Sequence, residues 1–319
     1  MYVVTGGLGF IGSHIVRALA KRGEKVIIVE DLQKCANKIA NISDCAYAVV
    51  DMIDITTFFS NMLPILKNSN VTGIFHEGAC VNTKETDFKH MTLHNTEFTR
   101  ALIETAITLS IKIVYASSAA VYGTHSCFCE TPTDERPANG YALSKLIIDN
   151  MVRALPKDQP LDKTIVGLRY FNVYGSNEDH KGTMASMVHQ IAKKMMHDDE
   201  VDLFKSYTQL GFSRDFVHVD DVVKVNMHFM FSDKTYRGVF NVGTGQDNSF
   251  ESVAMFISKV LHSRSKIREI PIPTDIVHFY QPITKANLTN LRSKGDYNER
   301  FISINEGIEK LYGAKNANF

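Results

Sequence analysis

Three side chains are spaced for proton transfer at a substrate alcohol. Tyr141 and Lys145 stand four residues apart in Tyr141-Ala142-Leu143-Ser144-Lys145, which on a helix puts them on one face. A neighbouring ammonium stabilises a phenolate and draws a Tyr pKa down from about 10, so the phenol can act as general acid and base. Ser118, at the end of an apolar run (Lys112 to Ser117), is placed to hydrogen-bond the same substrate oxygen. A second constellation is Thr5-Gly6-Gly7-Leu8-Gly9-Phe10-Ile11-Gly12. Gly6, Gly9 and Gly12 permit a tight turn and close backbone approach to a pyrophosphate, and the helix opening at Phe10 and Ile11 presents its N-terminus to that charge. Glu30-Asp31 follows about 20 residues on, where acids accept from ribose hydroxyls and repel a 2′-phosphate. The pair therefore favours NAD, and Lys38 is the one nearby cation that argues for NADP.

These groups need a parallel sheet to position them. Short β-branched runs at Tyr2 to Thr5, Lys25 to Val29, Tyr47 to Val50, Gly73 to His76, Lys112 to Ser117 and Thr164 to Tyr170 alternate with amphipathic stretches such as Phe10 to Arg22, ended by Gly23. The expected fold is α/β: a Rossmann-type doubly wound parallel sheet with a smaller, discontinuous α/β substrate domain. Residues 1-175 form mainly the NAD(P)-binding part and 176-319 mainly the substrate part, with 217-245 returning to the first. The later pattern predicts a helix from Thr183 to His197, strands at Val201 to Phe204 and Val239 to Val242, and helices near Phe250 and Ala286. Asp220-Asp221 reads as a helix cap, and Phe240-Asn241-Val242-Gly243-Thr244-Gly245 as a strand and turn rather than a second phosphate loop.

Composition narrows the function. The 319 residues carry 35 Lys+Arg against 35 Asp+Glu, so a phosphate-neutralising nucleic-acid binder is not expected. No apolar run approaches the ~18 to 20 residues of a spanning helix, and the start lacks a basic n-region. Five cysteines without a framework suggest a reducing, cytoplasmic setting. Cys127 and Cys129 have no second Cys/His pair at ligand spacing, so no metal is expected and they read as incidental loop thiols.

The glycine turn, the strand-end Ser and the Tyr-Lys pair, in this order, resemble the extended short-chain dehydrogenase/reductase superfamily over essentially the whole chain. Dehydratases of that superfamily carry Asp-Glu after the catalytic Ser/Thr, whereas this chain has Ala119-Ala120, which leaves epimerisation or simple oxidation. The strings His76-Glu77-Gly78-Ala79-Cys80, Arg169-Tyr170-Phe171-Asn172-Val173-Tyr174-Gly175 and His180-Lys181-Gly182-Thr183-Met184-Ala185-Ser186 are similar to those of the ADP-glyceromanno-heptose 6-epimerase family.

That resemblance implies inversion at C6″ of an ADP-linked heptose by oxidation to a transient ketone and re-reduction, with one tightly bound NAD(P) per subunit. It implies Tyr141 and Lys181 as the two acid/base groups, supported by Lys145 and Ser118. Cofactor contacts extend to Glu77, Gly78, Ala79, Cys80, Asn95 and Val173. Substrate contacts comprise Asn172, Thr183, Phe204, Arg214 and Tyr280, with Arg214 suited to the diphosphate because a guanidinium holds two phosphate oxygens at once; a structural ion pair with Asp215 or Asp220 is its other reading. Characterised family members prefer NADP and form homo-oligomers, pentamers among them, and supply heptose for the lipopolysaccharide core. The chain departs from the family pattern at Asp31 (Asn there), at Gln190 (His there) and before Arg214, where Phe204-Lys205-Ser206-Tyr207 opens a segment about two residues longer. A UDP-hexose 4-epimerase, and a regulator that binds NAD(P) without turnover, are the competing readings.

Overall fold

The computed structural model describes residues 1–80, 87–156, 163–205, 212–273 and 281–313. They fall into two compact units. Unit 1 comprises Met1–Val121, Asn139–Arg169 and Val223–Phe240, and unit 2 comprises Tyr122–Ala138, Tyr170–Val222 and Asn241–Phe319. The first crossing into unit 2 thus comes at Tyr122, well before residue 175.

Unit 1 is built on a seven-stranded sheet: β1 (Tyr2–Thr5), β2 (Val26–Glu30), β3 (Val49–Asp54), β4 (Gly73–His76), β5 (Lys112–Ser118), β6 (Ile165–Tyr170) and β7 (Arg237–Val242), in the order β7-β6-β5-β4-β1-β2-β3. The pairings β2 with β3, β1 with β2, β1 with β4 and β4 with β5 are parallel. This is the Rossmann order, and the strand sequence reverses between β1 and β4, the position at which doubly wound sheets open a crevice beyond their carboxyl ends. The central strands β1, β2 and β4 are buried, mainly apolar runs because both faces are covered, whereas the edge strand β3 is half exposed. Val3, Ile27, Val29, Ile74 and Ile113 from the sheet pack with Phe98, Leu102, Ile103, Ile148 and Val152 from two helices, each large side chain contributing about 1.5–3 kcal/mol by burial.

The third strand starts later than its β-branched pattern implies: Ala46–Ala48 is a single 3₁₀ turn and β3 begins at Val49. The helix over Phe10–Lys21 is capped by Gly9, which contributes no side-chain bond. The helix over Gly140–Ala154 starts where Asn139 Oδ1 accepts the Ala142 amide at 2.9 Å and stops before Pro156.

Unit 2 has its own core, in which Val188, Ile191, Val201, Phe216, Phe250, Val253, Ile257, Ile304 and Ile308 pack together. The sequence placed a helix from Thr183, yet it starts at Met187, capped by Ser186, because Asp179–Met184 forms a 3₁₀ turn in which Gly182 adopts φ 52°. Leu288 caps the helix expected near Ala286, which covers Thr289–Ser293. Asp220 and Asp221 lie inside the first turn of the Val219–Phe231 helix rather than ahead of it. The Asp221 carboxylate accepts the Ile302 amide at 2.5 Å, so it ties down the C-terminal segment of unit 2. Among the described residues no helix is long and apolar enough to cross a membrane.

Candidate active site

In unit 1 the glycine turn follows β1 directly. Gly6 has φ +66°, and a Cβ there would lie 2.7 Å from the Gly78 amide nitrogen; a Cβ on Gly12 would lie 2.2 Å from Gly6 O. The turn is therefore packed against both its own helix and the segment after β4, and only glycine fits at these two points. Thr5 Oγ1 accepts the Gly78 amide at 3.1 Å and bonds His76 Nδ1 at 2.6 Å, while His76 Nε2 bonds Thr99 Oγ1 at 2.7 Å. Burial pushes His76 down to about 3, so it is a neutral strut joining β1, β4 and a helix.

Asn95 sits in a π-helical turn, Thr92–Glu97, a distortion common at functional sites. Its Oδ1 accepts the Cys80 amide at 2.8 Å and its Nδ2 donates to Cys80 O at 3.0 Å and to Ser144 Oγ at 3.2 Å. It brackets the Glu77–Cys80 segment to the helix that bears Tyr141 and Lys145.

At the end of β2, Glu30 is buried and its Oε2 has no hydrogen-bond partner, while Oε1 faces Lys38 Nζ at 3.3 Å. An orphaned buried acceptor is costly, and this one fits the hydroxyl pair of a ribose. Lys38 is not the only cation here: Lys34 Nζ lies 3.3 Å from Asp31 Oδ2. The i,i+3 spacing within the segment after β2 was the signal in the sequence.

Tyr141, Lys145 and Asp149 line one helix face. Lys145 is buried and donates to Ala116 O at 2.7 Å; burial lowers it to about 8, opposed by the charges of Glu77 and Asp149. Tyr141 shares a hydrogen bond with Ser118, which lowers its pKa, but burial, as the largest influence, and Glu77 raise it. The expected depression of the phenol by Lys145 is not found: the shift is upward, with burial its largest cause, and Lys145 Nζ lies 6.0 Å from the ring centroid. Beneath them Asp149 was missed by the sequence reading. It accepts from Arg169 Nε (2.8 Å), Ser117 Oγ (2.8 Å) and Tyr115 OH (3.1 Å), and the Asp149–Arg169 pair is fully buried. The i,i+4,i+8 spacing of a carboxylate after Tyr141 and Lys145 was the available signal.

In unit 2, Lys181 Nζ lies 3.3 Å from the Glu178 carboxylate. Glu178 is buried and also accepts the Gly175 amide (3.1 Å), the Ser186 amide (2.7 Å) and Ser186 Oγ (2.7 Å). Glu178 was likewise missed; an acid three residues before Lys181 was its trace. Thr183 is exposed in the same loop, and Gln190 donates through Nε2 to Thr183 O (3.2 Å) and Ala185 O (2.6 Å). Asn172 accepts from Thr284 Oγ1 at 3.3 Å, and Thr284 Oγ1 accepts the Asp215 amide at 3.2 Å. Val173 follows in the short strand that pairs with Phe216–His218.

Arg214 is buried over the Phe250 ring, its Nη1 donating to Ser213 O (2.8 Å) and Pro282 O (3.1 Å). Asp215 takes other donors: the amides of Thr244 (2.7 Å), Gly245 (2.9 Å) and Ala286 (3.0 Å), and Thr244 Oγ1 (2.7 Å). The glycine turn after β7 therefore binds an internal carboxylate. Phe204 ends a strand paired with Lys266–Ile270. Tyr280, and the extra segment 206–211 ahead of Arg214, lie outside the described residues.

The family model for the NAD dependent epimerase/dehydratase family matches residues 2–243. A curated relative, the ADP-L-glycero-D-manno-heptose-6-epimerase of Brachyspira hyodysenteriae (strain ATCC 49526 / WA1), is 40% identical over 312 residues, covering 97% of this chain and 96% of its own. Among solved structures, the ADP-L-glycero-D-manno-heptose-6-epimerase of Helicobacter pylori has a TM-score of 0.83 at 27% identity, covering 100% of this chain and 96% of that one. A UDP-N-acetylglucosamine 4-epimerase from Methanobrevibacter ruminantium M1 shares the fold, with a TM-score of 0.81 at 24% identity over 98% of each chain.

Proposed function

The chain belongs to the NAD dependent epimerase/dehydratase family, and from that premise we propose that it inverts C6″ of ADP-D-glycero-β-D-manno-heptose to give the L-glycero epimer. The observation that carries this reading is the 40% identity to a heptose 6-epimerase along 97% of the chain. C6″ bears a secondary alcohol and has no adjacent carbonyl, so removing its hydrogen as a proton is very costly, and oxidation to a ketone followed by reduction on the other face is the accessible route. Bound nicotinamide supplies the acceptor, and in its reduced form the donor, of that hydrogen.

The protein's share is binding and proton management. The Gly6–Gly12 turn and the helix behind it hold the pyrophosphate with backbone N–H groups, and the orphaned Glu30 Oε2 takes a ribose hydroxyl. We assign the cofactor as NAD: Lys38 and Lys34 are both engaged with carboxylates, and Glu30 with Asp31 repels a 2′-phosphate. Tyr141, held by Ser118, takes the proton from the C6″ hydroxyl during oxidation and returns one during reduction. Lys145 keeps a positive charge beside the phenol. Lys181, held by Glu178, is the second acid/base group that inversion needs. Asn172 contacts the sugar, Arg214 the diphosphate and Tyr280 the nucleotide end, with Thr183 and Phe204 among the other substrate contacts.

The family resemblance further supports a cytoplasmic homo-oligomer, a pentamer, that feeds lipopolysaccharide core synthesis; mass measurement across concentrations checks the assembly. Activity is tested by comparing ADP-D-glycero-β-D-manno-heptose with UDP-galactose. Preference for the first is expected, and turnover of UDP-galactose alone overturns the assignment. Denaturing the protein and weighing the released dinucleotide tests the cofactor: NAD is expected, and NADP alone contradicts it.

A further inference from the structure

We propose that Cys127, Cys129 and Asp134 of unit 2 form a binding site for a zinc-type divalent cation, separate from the epimerase machinery. The Cys127 and Cys129 sulfurs lie 3.4 Å apart, and these two atoms and an Asp134 carboxylate oxygen all fall within 4.8 Å of one another. Tetrahedral zinc, with bonds of about 2.3 Å to sulfur and 2.0 Å to oxygen, sets its ligands roughly 3.5–3.8 Å apart, so the two sulfurs already stand near ligand spacing and the carboxylate oxygen, within 4.8 Å of them, needs to close by about 1 Å at most. In the sequence the two cysteines lack a matching Cys/His pair; the fold supplies the third donor by turning the chain back through Thr131.

That turn is built around the proposed ligands. Thr131 N–H donates to Cys129 O (2.8 Å), Thr131 Oγ1 donates to the Asp134 carboxylate (3.0 Å), and Asp134 N–H donates to Thr131 O (3.0 Å). On the other side the Cys127 amide donates to His125 Nδ1 at 3.2 Å, which fixes the approach to the first thiol. Asn287 Nδ2 donates to Cys129 Sγ at 3.3 Å, the kind of N–H contact that supports a metal-bound thiolate. Two thiolates with one carboxylate select a borderline-soft ion such as Zn(II) over Mg(II) or Ca(II), which take oxygen donors. Cys127 is exposed, so a water molecule can take the fourth position.

Co(II) is the probe, since it reports thiolate ligation by a near-ultraviolet charge-transfer band. The full chain, kept reduced with a non-thiol phosphine, is titrated with cobalt chloride and then with zinc chloride. The expected result is a band that saturates at one cobalt per chain and is bleached by zinc. Cys129→Ser should abolish the band, and Asp134→Asn should keep it while weakening cobalt binding by roughly tenfold or more. Circular dichroism confirms that both variants fold, and their turnover should match the parent. Absence of the band in the parent, a band that survives Cys129→Ser, or unchanged affinity in Asp134→Asn would each overturn the proposal.

Discussion

Tyr141 has burial and the Glu77 carboxylate working against its ionisation, with Ser118 working for it, so the phenol is a poor base unless a cation stands nearby. Lys145, lowered to about 8, is that cation only below this pH. Replacing Tyr141 with Phe, or Lys181 with Met, is expected to reduce kcat by about 10²–10⁴-fold with the dinucleotide retained; parent-like turnover in either variant would remove that residue from the mechanism. Asp149 is a positioning residue, because it touches Arg169, Ser117 and Tyr115 and acts on the reaction through the charge of Lys145. Asp149→Asn removes an influence that raises the Lys145 pKa. Its kcat profile, normalised to its own maximum, should therefore fall at lower pH than that of the parent, and an unmoved alkaline limb would limit Asp149 to a structural part. The variant also removes the carboxylate charge from the buried Asp149–Arg169 pair, at a cost of about 3–5 kcal/mol in stability. That Tyr141 and Lys145 share a face was legible from spacing, because a helix turns a four-residue interval into one face, and the place of Ser118 at a strand end was legible from the apolar run before it. Asp149 and Glu178 were not singled out, since a single acid in a sequence carries no mark of burial or of the donors that surround it.

The strands and the glycine turn show where local pattern suffices and where it stops. β1 and β4 coincide with their β-branched runs because these central strands are covered on both faces, which leaves a continuous apolar signature. The helix expected from Thr183 begins four residues later, because Gly182 takes a positive φ and Ser186 provides the cap. Periodicity records neither choice. The strut at His76 carries a consequence for the element it joins. With a folded pKa of about 3 against 6.5 unfolded, the unfolded chain binds the extra proton between those values. The contribution of neutral His76 is complete above pH 6.5 and is lost as pH falls toward 3. It amounts to at most about 5 kcal/mol. Urea unfolding at a series of pH values should show stability falling across this window, with a shallower fall in His76→Gln. Equal slopes in the two proteins would refute this role for the histidine.

For the whole molecule, equal numbers of acidic and basic residues are compatible with the proposed binding of two diphosphates, because in that proposal the first is met by backbone N–H groups that add no formal charge. On the proposed reading the second rests on few cations, Arg214 foremost, whose guanidinium is held by the Ser213 and Pro282 carbonyls beside the Phe250 ring. The division into two units was only partly readable from the sequence. Tyr122–Ala138 joins unit 2 through contacts such as Asn241 Nδ2 to Phe128 O at 2.7 Å, which link residues far apart in the chain. Inversion by oxidation and re-reduction makes one further demand on the whole protein: the hydrogen taken from C6″ must stay within it and return to the same carbon. The most direct test is to incubate the purified protein, with no added cofactor, with ADP-D-glycero-β-D-manno-heptose in D₂O and follow C6″ by NMR. Inverted product that keeps protium at C6″ is the expected result; an unchanged substrate, or inverted product carrying deuterium at C6″, would contradict the account.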